Sequence, residues 1–152
     1  MNSIELKLDI RPLAHQSVRF TRSGRSYKPK KVLSYQQNIV ALAKQQIPKD
    51  FVIIEQGTPI VVEFIHYSYA YLKSTPKKKR IIDIPKTTKP DLQDNLNKAF
   101  FDALEGLVYE QDQNIVEISS LKKFYSDRDY IHLSLIHISE PTRQAEISYA
   151  VF

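Results

Sequence analysis

Four side chains between Asp91 and Asp112 have the types and spacing needed for metal-assisted chemistry on a phosphate. Asp91 and Asp94 follow the turn Lys89-Pro90, where proline disfavours helix at the preceding residue. Lys98 comes one helical turn later, and Asp112 precedes an apolar run. Mg²⁺ prefers carboxylate oxygens, water and phosphate oxygens, and a nearby lysine can neutralise a phosphate or a leaving oxygen. Taken singly, however, Asp94 would be a helix cap, Lys98 a solvated cation and Asp112 a turn residue.

A helix from Asp94 to about Gly106 must position these groups. Asp94 stands where an N-cap is expected, and Gly106 stands where a helix ends. Lys98 and Glu105 then share the outer face with Asp94, near the connection that contains Asp112. The opposite side is predicted to be a buried stripe, because apolar residues recur at helical steps. Its members are Leu96, Ala99, Phe100, Ala103, Leu104 and Leu107.

The block KPDLQDNLNKAFFDALEGLVYEQDQNIV, residues 89–116, resembles the signature of the RusA family of Holliday-junction resolvases, found mostly in phages and prophages. A weaker match covers RFTRSGRSYKPKKVLSYQQNIV, residues 19–40. In the family this region is a basic, aromatic-containing loop ahead of the first helix. The resemblance therefore covers both the acidic motif and a basic segment that precedes it.

The resemblance implies that Asp91, Asp94 and Asp112 bind one or two Mg²⁺ ions, with Mn²⁺ as an alternative. It also implies that these three acids and Lys98 are the catalytic residues. The family's first two aspartates stand two positions apart, whereas Gln93 is an extra residue here. Asp91 can keep its role if the backbone bulges at Leu92-Gln93.

The activity implied by the resemblance is that of a magnesium-dependent endodeoxyribonuclease, a crossover junction resolvase of DNA recombination and repair. It would resolve four-way junctions in branched DNA by paired phosphodiester hydrolysis. Two symmetric nicks imply a homodimer. A phage or prophage origin and a cytoplasmic location in a bacterial host are expected. Two other functions remain open: a nuclease for other branched or ordinary duplex DNA, and a non-catalytic DNA-binding module whose acids are structural.

Composition agrees with an anionic partner. The 152 residues contain 22 Lys and Arg against 17 Asp and Glu, a formal net charge of +5, and the pI is about 9.3. This length suits one domain. The chain has no cysteine, which excludes a disulfide framework and zinc–thiolate sites. No apolar run is long enough to span a bilayer, so no membrane partner is expected.

Two basic segments precede the acidic motif in the chain: residues 11–31 and residues 72–89. The first has no acid and contains aromatic rings, which favours contact with nucleic acid over a merely solvated loop. The second is predicted to hold the DNA arms and to be mobile when DNA is absent, because nothing apolar anchors it. The predicted DNA-binding residues are Arg19, Arg22, Arg25, Lys28, Lys30, Lys31, Lys77, Lys78, Lys79 and Arg80.

The fold class predicted from periodicity is α+β, a single domain with a mixed sheet of about four strands and two principal helices. Alternating apolar residues predict a first strand over residues 4–10. A helix capped by Ser34 should run to about Gln46, and the second helix is the one that starts at Asp94. The remaining strands are predicted at residues 60–67, at 115–124 and, after a hairpin turn at 126–129, from Tyr130 onward.

The last twenty residues, LSLIHISEPTRQAEISYAVF, resemble a reading-frame translation of a common transposon-based sequencing adapter. The nuclease domain is therefore predicted to span residues 1–132, with residues 133–152 as a non-native tail. On this interpretation His137 has no functional meaning. We expect the last strand either to end early or to be completed by apolar tail residues such as Leu133 and Leu135, and the rest of the tail to pack poorly.

Overall fold

The computed structural model describes residues 2–14, 19–20, 22–27 and 29–137. Within them, none of the helices is long and apolar enough to cross a membrane. Besides short 3-10 and π-helical turns, the elements in chain order are β1 (Asn2–Leu8), β2 (Arg19–Phe20), β3 (Ser26–Tyr27), α1 (Lys30–Gln46), β4 (Ile60–Ala70), β5 (Ile84–Pro85), α2 (Asn97–Leu104), β6 (Ile115–Ile118), β7 (Leu121–Ser126) and β8 (Tyr130–His137).

The strand β4 organises a mixed sheet of six strands. The strand order is β1-β8-β4-β7-β5. β6 pairs with the first residues of β4, and β7 pairs with the residues of β4 that follow. β4 runs antiparallel to β8 and parallel to β6 and β7. The prediction of an α+β domain with a mixed sheet and two helices is confirmed, and the sheet has more strands than the predicted four. β2 and β3 form a separate two-stranded ribbon.

The connection between β7 and β8 is not the predicted hairpin, because β4 lies between the two strands. The link crosses the end of β4 and bonds to it: the backbone N–H of Ala70 donates to Asp129 Oδ1 (2.8 Å), and Ser68 Oγ donates to the Arg128 carbonyl (2.7 Å). Turn residues favour a reversal of the chain, but they do not determine which strand lies next to the returning one. The predicted strand over residues 115–124 is likewise two strands, β6 and β7.

Both helices begin at residues other than the predicted caps. α1 starts at Lys30, directly after Pro29, so Ser34 lies inside the helix. α2 starts at Asn97, after a π-helical turn over Leu92–Leu96, so Asp94 is not its N-cap. The C-terminal signal is confirmed: α2 ends at Leu104, and Gly106 adopts a φ of +80° that favours glycine.

The core lies between the two helices and one face of the sheet. The predicted stripe on α2 is confirmed for Leu96, Ala99, Phe100, Ala103 and Leu104, which are buried in the core, while Leu107 is half-buried at its margin. Alternating residues of the strands complete the core from the sheet side. They include Ile4, Leu6 and Leu8 of β1, Ile60, Val62, Ile65 and Tyr67 of β4, and Ile131, Leu133 and Leu135 of β8.

The last described strand continues past residue 132. β8 extends to His137 and pairs along its length with β1 and β4, with Leu133 and Leu135 buried. This is one of the two outcomes expected of the tail, a strand completed by apolar residues that follow position 132. Residues 138–152 lie outside the described residues, so the tail's packing and its non-native origin stay predictions.

Candidate active site along the second helix

A π-helical turn leads into α2 and accommodates the extra residue in the acidic motif. The backbone N–H of Leu96 donates to the Asp91 carbonyl at 3.1 Å, a step of five residues instead of the four of an α-helix. Such a turn takes one additional residue without ending the helix, and it is often found at functional sites. The bulge expected at Leu92-Gln93 is therefore present.

The turn that delivers Asp91 is attached to the sheet by a lysine. The Lys89-Pro90 peptide is cis, and Lys123 Nζ of β7 donates to the carbonyls of Thr88 and Pro90, both at 2.7 Å. The side chain of Asp91 is exposed. For Asp94 the backbone lies in the π-helical turn, while its side chain lies outside the described part of the structure.

The first turn of α2 is held by both of its neighbours. Tyr67 Oη donates to Asn97 Oδ1 at 2.7 Å, from the fully buried Tyr67 in the central strand. Gln36 Nε2 of α1 donates to the Ala99 carbonyl at 3.1 Å. A buried aromatic donor and an interhelical bond thus fix the helix that carries Lys98 against the sheet.

Three carboxylates converge beside this helix. Asp102, Glu105 and Asp112 each offer an oxygen within 4.8 Å of the other two, the one such group among the described residues. Asp112 was predicted to bind a metal, whereas Asp102 and Glu105 were not, and Asp91 is not a member. We call these three residues the acid cluster. The signal that could have identified the two additional acids is their i, i+3 spacing on the helix that also carries Lys98.

Lys98 lies against this cluster. Its Nζ is 3.3 Å from Asp102 Oδ1, one turn further along the helix, where Asp102 is half-buried. The charge of Asp102 and its hydrogen bond raise the pKa of Lys98, and the charges of Asp112 and Glu105 act in the same direction. The lysine is therefore protonated and directed toward the acids.

Glu105 connects α2 to the loop that carries Asp112. The backbone N–H of Asp112 donates to Glu105 Oε1 at 3.1 Å. Burial raises the pKa of the Asp112 carboxyl, and the charge of Glu105 raises it further. The two carboxylates are therefore held together in spite of their mutual repulsion. This arrangement stores electrostatic free energy that a bound cation would release.

The chemistry of this donor set fits a hard divalent cation. All three side chains are carboxylates, the oxygen donors that Mg²⁺ and Mn²⁺ prefer. Burial, and after it the charge of Glu105, raises the pKa of Asp112, and a divalent cation at this position would favour the ionised carboxylate. Among the described residues, the acid cluster is thus the place where a metal ion and a phosphate oxygen could meet beside a lysine.

The predicted DNA-binding residues of the first segment are exposed wherever their side chains are described. Arg22 and Arg25 lie in the link between β2 and β3, and Lys30 and Lys31 lie in the first turn of α1. That turn contains no acidic residue, so the lysines add to the positive end of the helix dipole. The side chain of Arg19 and all of Lys28 lie outside the described residues.

The second basic segment contains a short 3-10 turn and several polar contacts. Lys77, Lys78 and Lys79 form an exposed 3-10 turn. Arg80 is half-buried and anchors the segment to itself: its Nε donates to the Thr75 carbonyl at 2.9 Å, and its guanidinium also donates to the carbonyls of two residues near the start of the segment. The two carbonyls belong to Leu72 (3.3 Å) and Lys73 (3.2 Å). These anchors are polar, and the mobility expected in the absence of DNA stays a prediction.

One family model matches the chain. Its description is Endodeoxyribonuclease RusA, and it covers residues 9–135. The match spans more than half of the chain and includes the acid cluster, the π-helical turn and both basic segments. No curated protein matches the chain significantly.

Proposed function

Because the chain belongs to the RusA family of endodeoxyribonucleases, we propose that it resolves four-way (Holliday) junctions by metal-dependent hydrolysis of paired phosphodiester bonds. The observation that carries the proposal is the convergence of Asp102, Glu105 and Asp112 beside Lys98. Three carboxylates and a protonated lysine are the groups that hydrolysis of a phosphodiester requires. Lys98 and Asp102 lie on α2, Glu105 directly follows it, and Asp112 begins a 3-10 turn further along the same motif.

The residues have separate roles in this proposal. Asp91, Asp94 and Asp112 hold one or two Mg²⁺ ions, with Mn²⁺ as an alternative. A bound divalent cation supplies a Lewis acid that activates water and offsets negative charge on the phosphate. Lys98 neutralises the scissile phosphate or the leaving oxygen. Of these groups, Asp112 belongs to the acid cluster, and Lys98 contacts the cluster through Asp102.

Two further acids position these groups. Asp102 holds the ammonium group of Lys98 at 3.3 Å, which limits the directions in which a flexible side chain can point. Glu105 accepts the backbone N–H of Asp112 and so restrains the loop that carries this carboxylate. Partners of this kind orient ligands and tune their charge in metal sites. Glu105 is also close enough to Asp112 to share a cation with it.

The basic segments supply the attraction for DNA. Clustered acids repel phosphates, so a bound strand needs positive charge nearby. Exposed cations at Arg22, Arg25, Lys30 and Lys31 and in the 3-10 turn over Lys77–Lys79 provide it. The proposed DNA-binding set also includes Arg19 and Lys28, and Arg80 contributes by holding its segment in place.

Paired cleavage needs two active sites, so we propose that the active form is a homodimer whose two-fold symmetry matches that of a four-way junction. The proposed setting is the cytoplasm of a bacterial host, with the chain encoded by a phage or prophage. This part of the proposal is supported by the family motif alone. DNA recombination and repair are the processes in which such junctions arise.

The test is a cleavage assay on a synthetic four-way junction, with a flap and a linear duplex of the same sequence as competitors. We expect magnesium-dependent cuts placed symmetrically on two opposing strands. Asp112→Asn and Asp94→Asn should each lower the rate at least about 100-fold, equivalent to about 2.7 kcal/mol of barrier, while junction binding is kept. The matched control is Asp50→Asn, an exposed acid just after α1.

The assay also separates the alternatives. A nuclease for other DNA would cut the flap or the linear duplex at least as fast as the junction. A non-catalytic DNA-binding module would bind the junction and release no product in magnesium or manganese. Wild-type rates in both Asp94→Asn and Asp112→Asn would show that these carboxylates are not catalytic.

A further inference from the structure

A lysine of β7 holds the backbone directly before Asp91. Lys123 Nζ donates to the carbonyls of Thr88 and Pro90, both at 2.7 Å. Bonds from an ammonium group to carbonyl oxygens are charge-assisted, and these two are at the short end of the normal range. The second acceptor belongs to the peptide bond that joins Pro90 to Asp91. Lys123 therefore fixes the peptide from which this aspartate extends.

The backbone directly after Asp91 is held by the π-helical turn. The Asp91 carbonyl accepts the N–H of Leu96 at 3.1 Å. The Asp91 carboxylate, by contrast, is exposed and makes no hydrogen bond or ion pair with another of the described residues. The direction of this carboxylate is therefore set by its backbone, which is fixed on both sides.

A second lysine attaches the same turn to β7. The backbone N–H of Lys86 donates to the Lys123 carbonyl at 3.2 Å. Lys86 Nζ donates to Thr88 Oγ1 at 2.9 Å and to Tyr125 Oη at 3.0 Å. Lys123 and Tyr125 are two residues apart on β7, so their side chains extend from the same face of the strand. The turn thus lies across that face before the chain reaches Asp91.

The neighbouring lysine of β7 has a different environment. Successive side chains of a strand point to opposite faces. Lys123 is half-buried and is the register partner of the buried Tyr67. Lys122 is exposed and is the register partner of His66. Two adjacent lysines of equal charge therefore differ in whether they support the turn.

We propose that Lys123 is a positioning residue for Asp91 and thereby sets the affinity of the site for a divalent cation. The inference rests on the proposed function, in which Asp91 is a metal ligand. A carboxylate that is already held in place loses less freedom when it binds an ion, and residues that orient a ligand in this way affect metal affinity. Lys123 acts through the backbone, since two of the three donors of its ammonium group bond to carbonyls.

The first test compares the magnesium requirement of junction cleavage in two lysine variants. Lys123→Met removes both donors, and we expect the magnesium concentration for half-maximal rate to rise about tenfold, while the rate at saturating magnesium changes less than about twofold. Lys123→Arg keeps two donors and should need less magnesium than Lys123→Met. The matched control is Lys122→Met, which removes the same charge one residue away and should behave as wild type. Circular dichroism verifies that the variants are folded.

The second test needs neither DNA nor activity. Isothermal titration of Mn²⁺ into the protein should give an affinity about tenfold lower in Lys123→Met than in wild type, and an unchanged affinity in Lys122→Met. Hydrogen exchange of the amides in residues 86–92, measured by mass spectrometry, should be faster in Lys123→Met alone, because the turn has lost its bonds to the lysine.

A double variant identifies the residue through which Lys123 acts. If it acts through Asp91, the combination of Lys123→Met with Asp91→Asn should bind Mn²⁺ no more weakly than Asp91→Asn alone. Two losses that add together would show that Lys123 affects the metal by another route, and would overturn the inference.

The remaining outcomes also decide the matter. Weaker Mn²⁺ binding in Lys123→Met, unchanged binding in Lys122→Met and no additivity with Asp91→Asn support the inference, whether or not the protein cuts junctions. Equal losses in the two lysine variants would reveal a general effect of charge and overturn it. So would a Lys123→Met variant with lower junction affinity and unchanged metal affinity, because the lysine would then contact DNA. Metal-dependent cleavage by wild type, with wild-type metal binding in Lys123→Met, overturns the inference and leaves the proposed function standing.

Discussion

The acid cluster and the second basic segment carry opposite charge and differ in how their charged side chains are held. In the cluster, Lys98 contacts Asp102, and Glu105 accepts the N–H of Asp112. In the segment, the lysines of the 3-10 turn Lys77–Lys79 extend into solvent. A hard cation requires its oxygens at defined distances. A phosphate backbone, by contrast, is attracted over about 10 Å at ordinary ionic strength, so its partners need no fixed position.

Arg80 is the exception that explains how the second segment keeps its shape. Its guanidinium bonds to carbonyls of its own segment, as described above, so its donors are used within the protein. Tyr71 Oη adds a bond to the Ile82 carbonyl at the other end. One cation thus holds the segment in shape, whereas Lys77, Lys78 and Lys79 stay exposed and are the ones proposed to bind DNA.

Among changes that leave the proposed metal ligands Asp91, Asp94 and Asp112 in place, the largest effect is expected from breaking a contact within the cluster. Glu105→Ala removes the acceptor of the Asp112 N–H, and we expect junction cleavage to slow about 10- to 100-fold, as for other residues that support a metal ligand. Glu105→Gln keeps an oxygen acceptor of the same length. If Glu105 acts through this hydrogen bond, the glutamine variant should retain most of the activity.

The dependence of the rate on magnesium concentration distinguishes positioning from ligation. A glutamine variant that needs much more magnesium than wild type, but reaches the same maximal rate, would make Glu105 a metal ligand. Glu110→Gln is the matched control. It is an exposed glutamate outside the acid cluster, and its carboxylate accepts the N–H of Gln56.

A smaller effect is expected from removing charge in the second segment. Replacing Lys77, Lys78 and Lys79 with alanine should lower junction affinity and reduce the slope of log affinity against log salt by about 3, because each phosphate contact releases about one counterion. The maximal cleavage rate should change little. Lys44→Ala, on the solvent side of α1, should leave the slope unchanged. An unchanged slope in the triple variant would remove these lysines from the DNA surface.

The smallest effect concerns stability. Burial and Glu105 raise the pKa of Asp112, so its charged form opposes folding, and this cost fades as the pH falls through the raised pKa. Without metal, Asp112→Asn should therefore melt about 2 °C higher than wild type at neutral pH and equally at acidic pH. Magnesium should raise the melting temperature of wild type more than that of the variant. A variant that melts lower at neutral pH would contradict this.

Local patterns predicted the burial of elements better than their ends. The alternation that includes Leu6 and Leu8 and the stripe that includes Phe100 both identified buried faces correctly. The starts of the helices were wrong: Pro29 begins α1 without a side-chain cap, and the π-helical turn replaces the expected cap at Asp94. Burial follows from many residues in phase, whereas a terminus depends on one or two competing hydrogen bonds.

The predicted hairpin fails for a different reason. Residues 126–129 are well suited to a turn, but β4 bonds to both strands that they connect. The contact between Glu105 and Asp112 was also not predicted from the sequence. The chain turns after Gly106, whose φ is +80°, and returns Asp112 to Glu105. The strand that separates β7 from β8 is 58 residues away where Ser68 meets Ser126, so no short window of sequence contains it. Glu105 and Asp112 are only seven residues apart, and their contact depends on the backbone conformation of the turn between them, which residue types alone do not determine.

The sequence by itself determined the chemical types at the site, the phase of the buried faces and the excess of positive charge, because these depend on residue identity and periodicity. Only the tertiary structure decided that Asp102 and Glu105 join Asp112 and that β4 separates β7 from β8. The physical reason is competition. Each carboxylate and each strand edge has several partners within reach, and only the packing of the whole domain selects among them.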